Sequence, residues 1–270
     1  MWYNIRMKLF DTHAHFAEDR DATAATLARA AAAGVTRLMA VGGSPELNRA
    51  ALLAAEVATE TAATSAPEEV CSVRLALGLD RDQTTADGAA TGYDFATVRD
   101  NHARLAAIGE IGLDFHYAPE TAKAQCDLFA AQLALADELD RPVVIHTRDA
   151  DDATLGVLDE CDFHHGVIHC FTGSVPFARQ LLDRGFMLSF SGIVTFRAAD
   201  NVRAAARYAP EDRLLIETDS PFLAPVPLRG RTNEPAFLVH TLRALAALRE
   251  VTPEHLAAVT ADNAERTFPC

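Results

Sequence analysis

Eight short apolar runs, the helical patterns between them, and His, Asp or Glu at the ends of five of those runs predict an α/β fold, a (β/α)8 TIM barrel. The chain has 270 residues, a length that one barrel fills, and no repeat or low-complexity linker divides it. Residues 1–270 are therefore read as a single domain.

The predicted strands are Lys8–Asp11, Arg37–Val41, Val73–Leu77, Leu105–Glu110, Val143–His146, Val167–His169, Phe186–Phe190 and Leu214–Glu217. Each is short, rich in branched side chains and bounded by polar or glycine turns. Helical spacing fills the intervals. In Lys123–Leu139, Cys126, Phe129, Leu133 and Ala136 recur every three or four residues, and Pro142 stops the pattern before the next strand. Alanine-rich stretches elsewhere read as helix, alanine being the best helix former. Strict alternation predicts a parallel sheet. A doubly wound open sheet satisfies the count equally well. The barrel is preferred because its strand ends converge on one mouth, which suits chemistry contributed by five strands.

Five segments carry that chemistry. Asp11-Thr12-His13-Ala14-His15 follows strand one; residues two apart on an extended chain share a face, so His13 and His15 can reach one ion. Ile108–Phe115 ends strand four with Glu110, a carboxylate in an apolar run, costly unless ion-paired or bound to a cation. Its two oxygens can bridge two ions. Pro142–His146 and Val167–His169 each end in histidine, either hydrogen-bonded for structure or a ligand. Leu214–Pro221 carries Asp219, a candidate ligand able to orient water, and Glu217 at the same strand parity, an orienting group or a partner for a buried arginine. His164 and His165 lie upstream of their strand and read as loop residues. Four histidines and two carboxylates at strand ends suit two divalent ions about 3.5–4 Å apart.

From about Phe10 to Phe268 the chain resembles the TatD family of metal-dependent deoxyribonucleases, within the amidohydrolase-like group. The resemblance rests on Asp11–His15, Gly34–Gly43, Gly109–Phe115, Pro142–Ala150, His169–Ser174, Ser189–Phe196, Leu214–Leu223, Arg229–Pro235 and Asn263–Phe268. It implies that His13, His15 and Asp219 hold one ion, that His146 and His169 hold the other, and that Glu110 bridges them. Glu110 and Asp219 are then also catalytic. It further implies Arg148 as a phosphate contact and Asn233 and Glu234 as residues of the loop beside the site, with Asn233 a candidate substrate contact. Two departures stand out. Ala14 replaces a common cysteine between the two histidines. At the end of strand three many members read Gly-Ile/Val-His-Pro; this chain reads Gly78-Leu79-Asp80-Arg81-Asp82-Gln83. Arg81 is thus a candidate phosphate contact, with Asp80 or Asp82 as its partner and plain surface solvation as the alternative. Lys123 lies in a helix, so it is rejected as a metal-bridging lysine.

The resemblance implies a magnesium- or manganese-dependent exonuclease on single-stranded or frayed DNA ends; four histidines also suit zinc. An aminoacyl-ester or amide hydrolase is the alternative on the same site. The formal charge of −14 excludes a basic, duplex-gripping DNA binder. It does not exclude a nuclease that holds one or two nucleotides in a pocket, where bound cations supply positive charge. Five cysteines, with no Cys-x-x-Cys pair, read as reduced thiols. No apolar run is long enough for a signal peptide or membrane span, and Met7 is an alternative start. A cytoplasmic monomer with no obligatory protein partner is expected.

Overall fold

The computed structural model describes residues 7–66, 70–84 and 94–269; the stretch before Met7 and Cys270 lie outside it. All eight expected strands form: β1 (Leu9–Ala14), β2 (Val35–Gly43), β3 (Ser72–Leu79), β4 (Leu105–Asp114), β5 (Val143–Arg148), β6 (Gly166–Ile168), β7 (Met187–Phe190) and β8 (Leu214–Ile216). They pair in sequence order, every neighbour parallel. The ring closes at the C-terminal mouth, where Asp219 N–H donates to His13 O (2.9 Å) and His15 N–H to Ser220 O (2.8 Å). The open sheet is thereby excluded. β6 and β8 end one residue earlier than expected, but His169 N–H still donates to Ile145 O (2.9 Å).

The helices are α1 (Arg20–Ala32), α2 (Pro45–Ala62), α3 (Ala96–Asp100), α4 (Ala122–Glu138), α5 (Asp151–Glu160), α6 (Val175–Asp183), α7 (Asp200–Tyr208), α8 (Leu238–Leu248) and α9 (Pro253–Thr267). Three start alike: Ser44, Ser174 and Thr252 each cap with the side-chain oxygen while proline stands in the first turn, first in α2 and α9 and second in α6. Neither position has an intrahelical use for an N–H, and proline's fixed φ suits the helix start. Among the described residues no helix is long and apolar enough to cross a membrane, and Cys71, Cys126, Cys161 and Cys170 are free thiols.

Two apolar layers result. The outer one packs strands against helices. The inner one, including Phe10, Met39, Val144, Val167, Met187 and Leu215, fills the barrel and is plugged from below by Ala261, Ala264 and Phe268 at the end of α9. Contacts across the interior identify it: the Arg74 guanidinium of β3 lies 5.2 Å from the Phe10 ring of β1, and Thr12 Oγ1 meets Ser189 Oγ of β7 at 3.1 Å. With period two, this inner layer leads upward to the site: Val144 to His146, Val167 to His169, Leu215 to Glu217.

Candidate metal centre

Two strands break the period to aim their ligands. Along β1, Asp11 pairs with Leu38 and Ala14 with Ala40, so β1 carries one residue more than β2 there. Phe10 and Thr12 face inward; the extra residue brings His13 and then His15 inward as well. Along β4, Gly109 pairs with Val144 and Ile111 with Ile145, leaving Glu110 as the extra residue and turning it in, followed by Gly112 and Asp114. Such bulges re-aim side chains. Gly112 has φ +124°, and a Cβ there would sit 2.1 Å from the His146 carbonyl oxygen, so β4 and β5 approach this closely only with glycine. Asp219 stands beyond β8 with φ +57°, a conformation aspartate tolerates better than most residues.

The result is one carboxylate between two donor sets. Glu110 Oε2 faces His15 Nε2 (3.4 Å) and His13 Nε2 (3.6 Å), with Asp219 Oδ1 3.9 Å from both imidazoles. Glu110 Oε1 faces His146 Nδ1 (3.4 Å) and His169 Nε2 (3.6 Å). All six residues expected from the sequence therefore meet in one place.

The outward nitrogens show what the inward ones offer. His15 Nδ1 lies 2.9 Å from Val41 O, an acceptor only, so it carries the proton. His169 Nδ1 is directed at Glu217 Oε1 (3.3 Å) and His146 Nε2 at Asp114 Oδ2 (3.1 Å). Each ring, when neutral, then turns a lone pair toward Glu110. Lone pairs and carboxylates cannot satisfy one another; a cation can, and outward acceptors of this kind accompany metal-bound imidazoles. The residues fit divalent ions on that ground.

Where no cation is bound, a proton stands in for one: burial opposes a charge on His169, but Glu110 and Glu217 hold it well above the imidazole range. Burial, then the charge of His169, pushes His13 down to about 3, which keeps it neutral. Burial opposes ionisation of Glu110, but the surrounding imidazoles, His169 foremost, hold it well below the carboxylate range. Burial likewise opposes ionisation of Asp114, yet His146 and the Tyr117 and His116 N–H groups bring it to about 2.

Around the centre lies a cleft of about 590 Å³, in the range of small-ligand sites. Arg81 enters it and is not merely solvated: its guanidinium lies 2.5 Å from Glu110 Oε1 and 3.8 Å from Asp82. Asp80 instead orders the turn, accepting from Asp82 N–H (2.9 Å). Asn233 lines the cleft, but its amide donates to Thr218 O (2.9 Å) and Phe222 O (2.6 Å), stapling the loop that carries Asp219. Glu234 ties that loop to Arg29 on α1 (2.7 Å). Arg148 sits at the end of β5 with its guanidinium 4.7 Å from the exposed Tyr117 ring. Glu217 pairs with His169 and Cys170 N–H (2.7 Å), not with an arginine. Lys123 pairs with Asp127 on the α4 surface.

Asp114 and Asp11 were not singled out by the sequence reading. Asp114 shares its parity with Glu110 in a wholly buried strand, which was the available signal. Asp11 accepts from Thr218 N–H (2.8 Å) and Thr218 Oγ1–H (2.6 Å), joining β1 to the segment after β8; nothing in the sequence pointed to that pairing.

Residues 10–269 match the model of the TatD related DNase family. The chain belongs to this family, whose relatives are named metal-dependent hydrolases. It is 50% identical over 169 residues to the metal-dependent hydrolase YcfH of Escherichia coli strain K12, covering 61% of this chain and 63% of YcfH, so the match spans less than two thirds of that relative. It is 35% identical over 264 residues to the 3′-5′ ssDNA/RNA exonuclease TatD of Musicola paradisiaca, covering 95% of this chain and 94% of that protein. The crystal structure of YjjV, a TatD homolog from E. coli K12, superposes with a TM-score of 0.81 at 26% identity, covering 98% of this chain and all of YjjV.

Proposed function

We propose that this chain is a two-metal phosphodiesterase that shortens single-stranded or frayed DNA from an end. The observation that carries the reading is the division of Glu110, one oxygen toward His13, His15 and Asp219 and the other toward His146 and His169. The Musicola relative, named for single-stranded DNA and RNA, supports the substrate class. In this reading His13, His15 and Asp219 hold one divalent ion, His146 and His169 the other, and Glu110 both. Magnesium or manganese fits phosphate chemistry and the imidazole-rich donor set also accommodates zinc. When bound, such ions supply Lewis acidity and a nucleophile at neutral pH.

The protein's own groups do the rest. Asp219, beside the mouth, accepts a proton of the attacking water and orients it. Glu217, Asp114 and Val41 O fix the imidazole tautomers. Arg81 offers its planar fork to the non-bridging phosphoryl oxygens from the β3 side, and Arg148 meets a neighbouring phosphate from the β5 side. Asn233 acts on substrate through the loop it staples.

The test is hydrolysis of a 5′-labelled single-stranded oligonucleotide by metal-stripped protein, with Mg²⁺, Mn²⁺ and Zn²⁺ restored separately and Glu110→Ala alongside. Stepwise shortening that needs metal and vanishes in the variant is expected. Intact oligonucleotide with every ion, in protein shown to bind that ion, would overturn the reading and turn attention to aminoacyl esters and amides.

A further inference from the structure

The cleft is poor in usable positive charge. Among its described lining residues the cations are Arg29 and Arg81, and each faces a carboxylate, Glu234 at 2.7 Å and Glu110 at 2.5 Å. Asp80 and Asp82 line the same wall. The chain as a whole carries −14. Phosphate contacts by basic side chains, the usual source of nucleic-acid affinity, are therefore few here. Beyond the bound ions and the few arginines, an uncharged contact is the remaining source of grip.

Phe222 provides one. Its side chain is 59% exposed, one of four exposed large hydrophobic residues among those described, and it stands at the wall of the cleft three residues past Asp219. The ring meets the His15 imidazole edge to face, centroids 6.3 Å apart, so it adjoins the ligand set directly. Its backbone is fixed on both sides. Phe222 N–H donates to Asp219 O (2.9 Å), the Asn233 amide donates to Phe222 O (2.6 Å), and Asn233 N–H donates to Pro221 O (3.0 Å). Single exposed apolar side chains are ordinary on a surface; this ring is set apart by its fixed backbone and its place on the cleft wall against a residue of the ligand set.

We propose that Phe222 is a nucleobase platform: an unpaired base next to the scissile phosphate stacks on its exposed face. The proposal rests on the phosphodiesterase reading above and deepens it. A π-face is common to all bases, so the platform is indifferent to sequence. It does require a free face, which bases inside a duplex spend on their neighbours. An unpaired terminus supplies one. The preference for single-stranded or frayed ends then follows from this ring and not from an electrostatic groove.

The experiment compares two labelled single-stranded oligonucleotides, identical except that one has an abasic residue at the end attacked. Wild type, Phe222→Ala and Phe222→Trp are examined, with Tyr208→Ala on the outer helix α7 as an exposed-aromatic control. Equilibrium binding by fluorescence anisotropy and cleavage with Mn²⁺ are both measured. The base-bearing oligonucleotide is expected to bind wild type roughly 5- to 150-fold more tightly than the abasic one, the range of one base–aromatic stack. Phe222→Ala loses that discrimination and treats both as abasic; Phe222→Trp and Tyr208→Ala keep it. Discrimination that survives in Phe222→Ala, or is missing in wild type, overturns the platform. Binding that discriminates without any cleavage leaves the platform standing and removes the phosphodiesterase reading, so the two failures are separable.

Discussion

Replacing Asp114 with Asn tests how the protein controls the second half of the centre. Asp114 is buried, with Oδ1 accepting from His116 N–H (2.9 Å) and Tyr117 N–H (3.1 Å) and Oδ2 accepting from His146 Nε2–H (3.1 Å). Asparagine keeps one oxygen, which the two backbone donors retain. Its NH2 group then faces His146, and two donors cannot bond. The imidazole must move its proton to Nδ1, the nitrogen 3.4 Å from Glu110 Oε1, and so loses the lone pair offered there. Disrupting such an outer partner costs 10–100-fold in metal affinity, about 1.4–2.7 kcal/mol. Calorimetric titration of Mn²⁺ into stripped protein should show one weakened site, that of His146 and His169, beside one of unchanged affinity. Urea unfolding of the stripped protein should shift far less than in Asp114→Ala, which removes the acceptor of three partly buried donors at about 0.5–1.5 kcal/mol each. Two sites of wild-type affinity in Asp114→Asn would refute the tautomer argument.

Asn233→Ala removes the donors to Thr218 O and Phe222 O and is expected to destabilise the fold by about 1–3 kcal/mol in urea unfolding; kcat should fall with it through Asp219, and an unchanged kcat would show that the loop is held by other contacts. With Arg81 and Arg148 the two arginines set against phosphate, the slope of log K against log salt for single-stranded DNA should be no steeper than about −1.4, measured by anisotropy between low and physiological salt; a steeper slope would reveal a further basic surface. Burial, then the charge of Asp11, pushes the Cys71 thiol up to about 12, so at pH 8 roughly one molecule in ten thousand carries the thiolate. Site-resolved alkylation by iodoacetamide should leave Cys71 unmodified in folded protein and modify it in urea.

Much of the site was legible because strand-end histidines and carboxylates interrupt otherwise apolar runs. His146 and His169 follow directly from period two along β5 and β6. Glu217 was readable as an orienting group by its parity, though whether it served a histidine or an arginine was not. Arg81 shows the opposite case. Its sequence neighbours, Asp80 and Asp82, suggested a local ion pair, and Asp82 supplies a loose one at 3.8 Å; Asp80 is consumed by the turn, and the guanidinium's near partner, at 2.5 Å, is Glu110 on the next strand. A pairing between residues 29 positions apart depends on the register of β3 and β4, which no local pattern encodes.

By itself the sequence determined the eight strands, their alternation with helices, and the six residue types that a divalent centre needs, because hydrophobic periodicity and the cost of burying polar groups are local properties of the chain. Only the tertiary structure decided that His13, His15 and Glu110 point inward. Counted strictly by twos, His13 falls on the outer face with Asp11, and Glu110 falls there with Ile108. One extra residue in β1 and one in β4 turn both inward. A bulge is a mismatch between paired strands, so it has no meaning until β1 lies against β2 and β4 against β5.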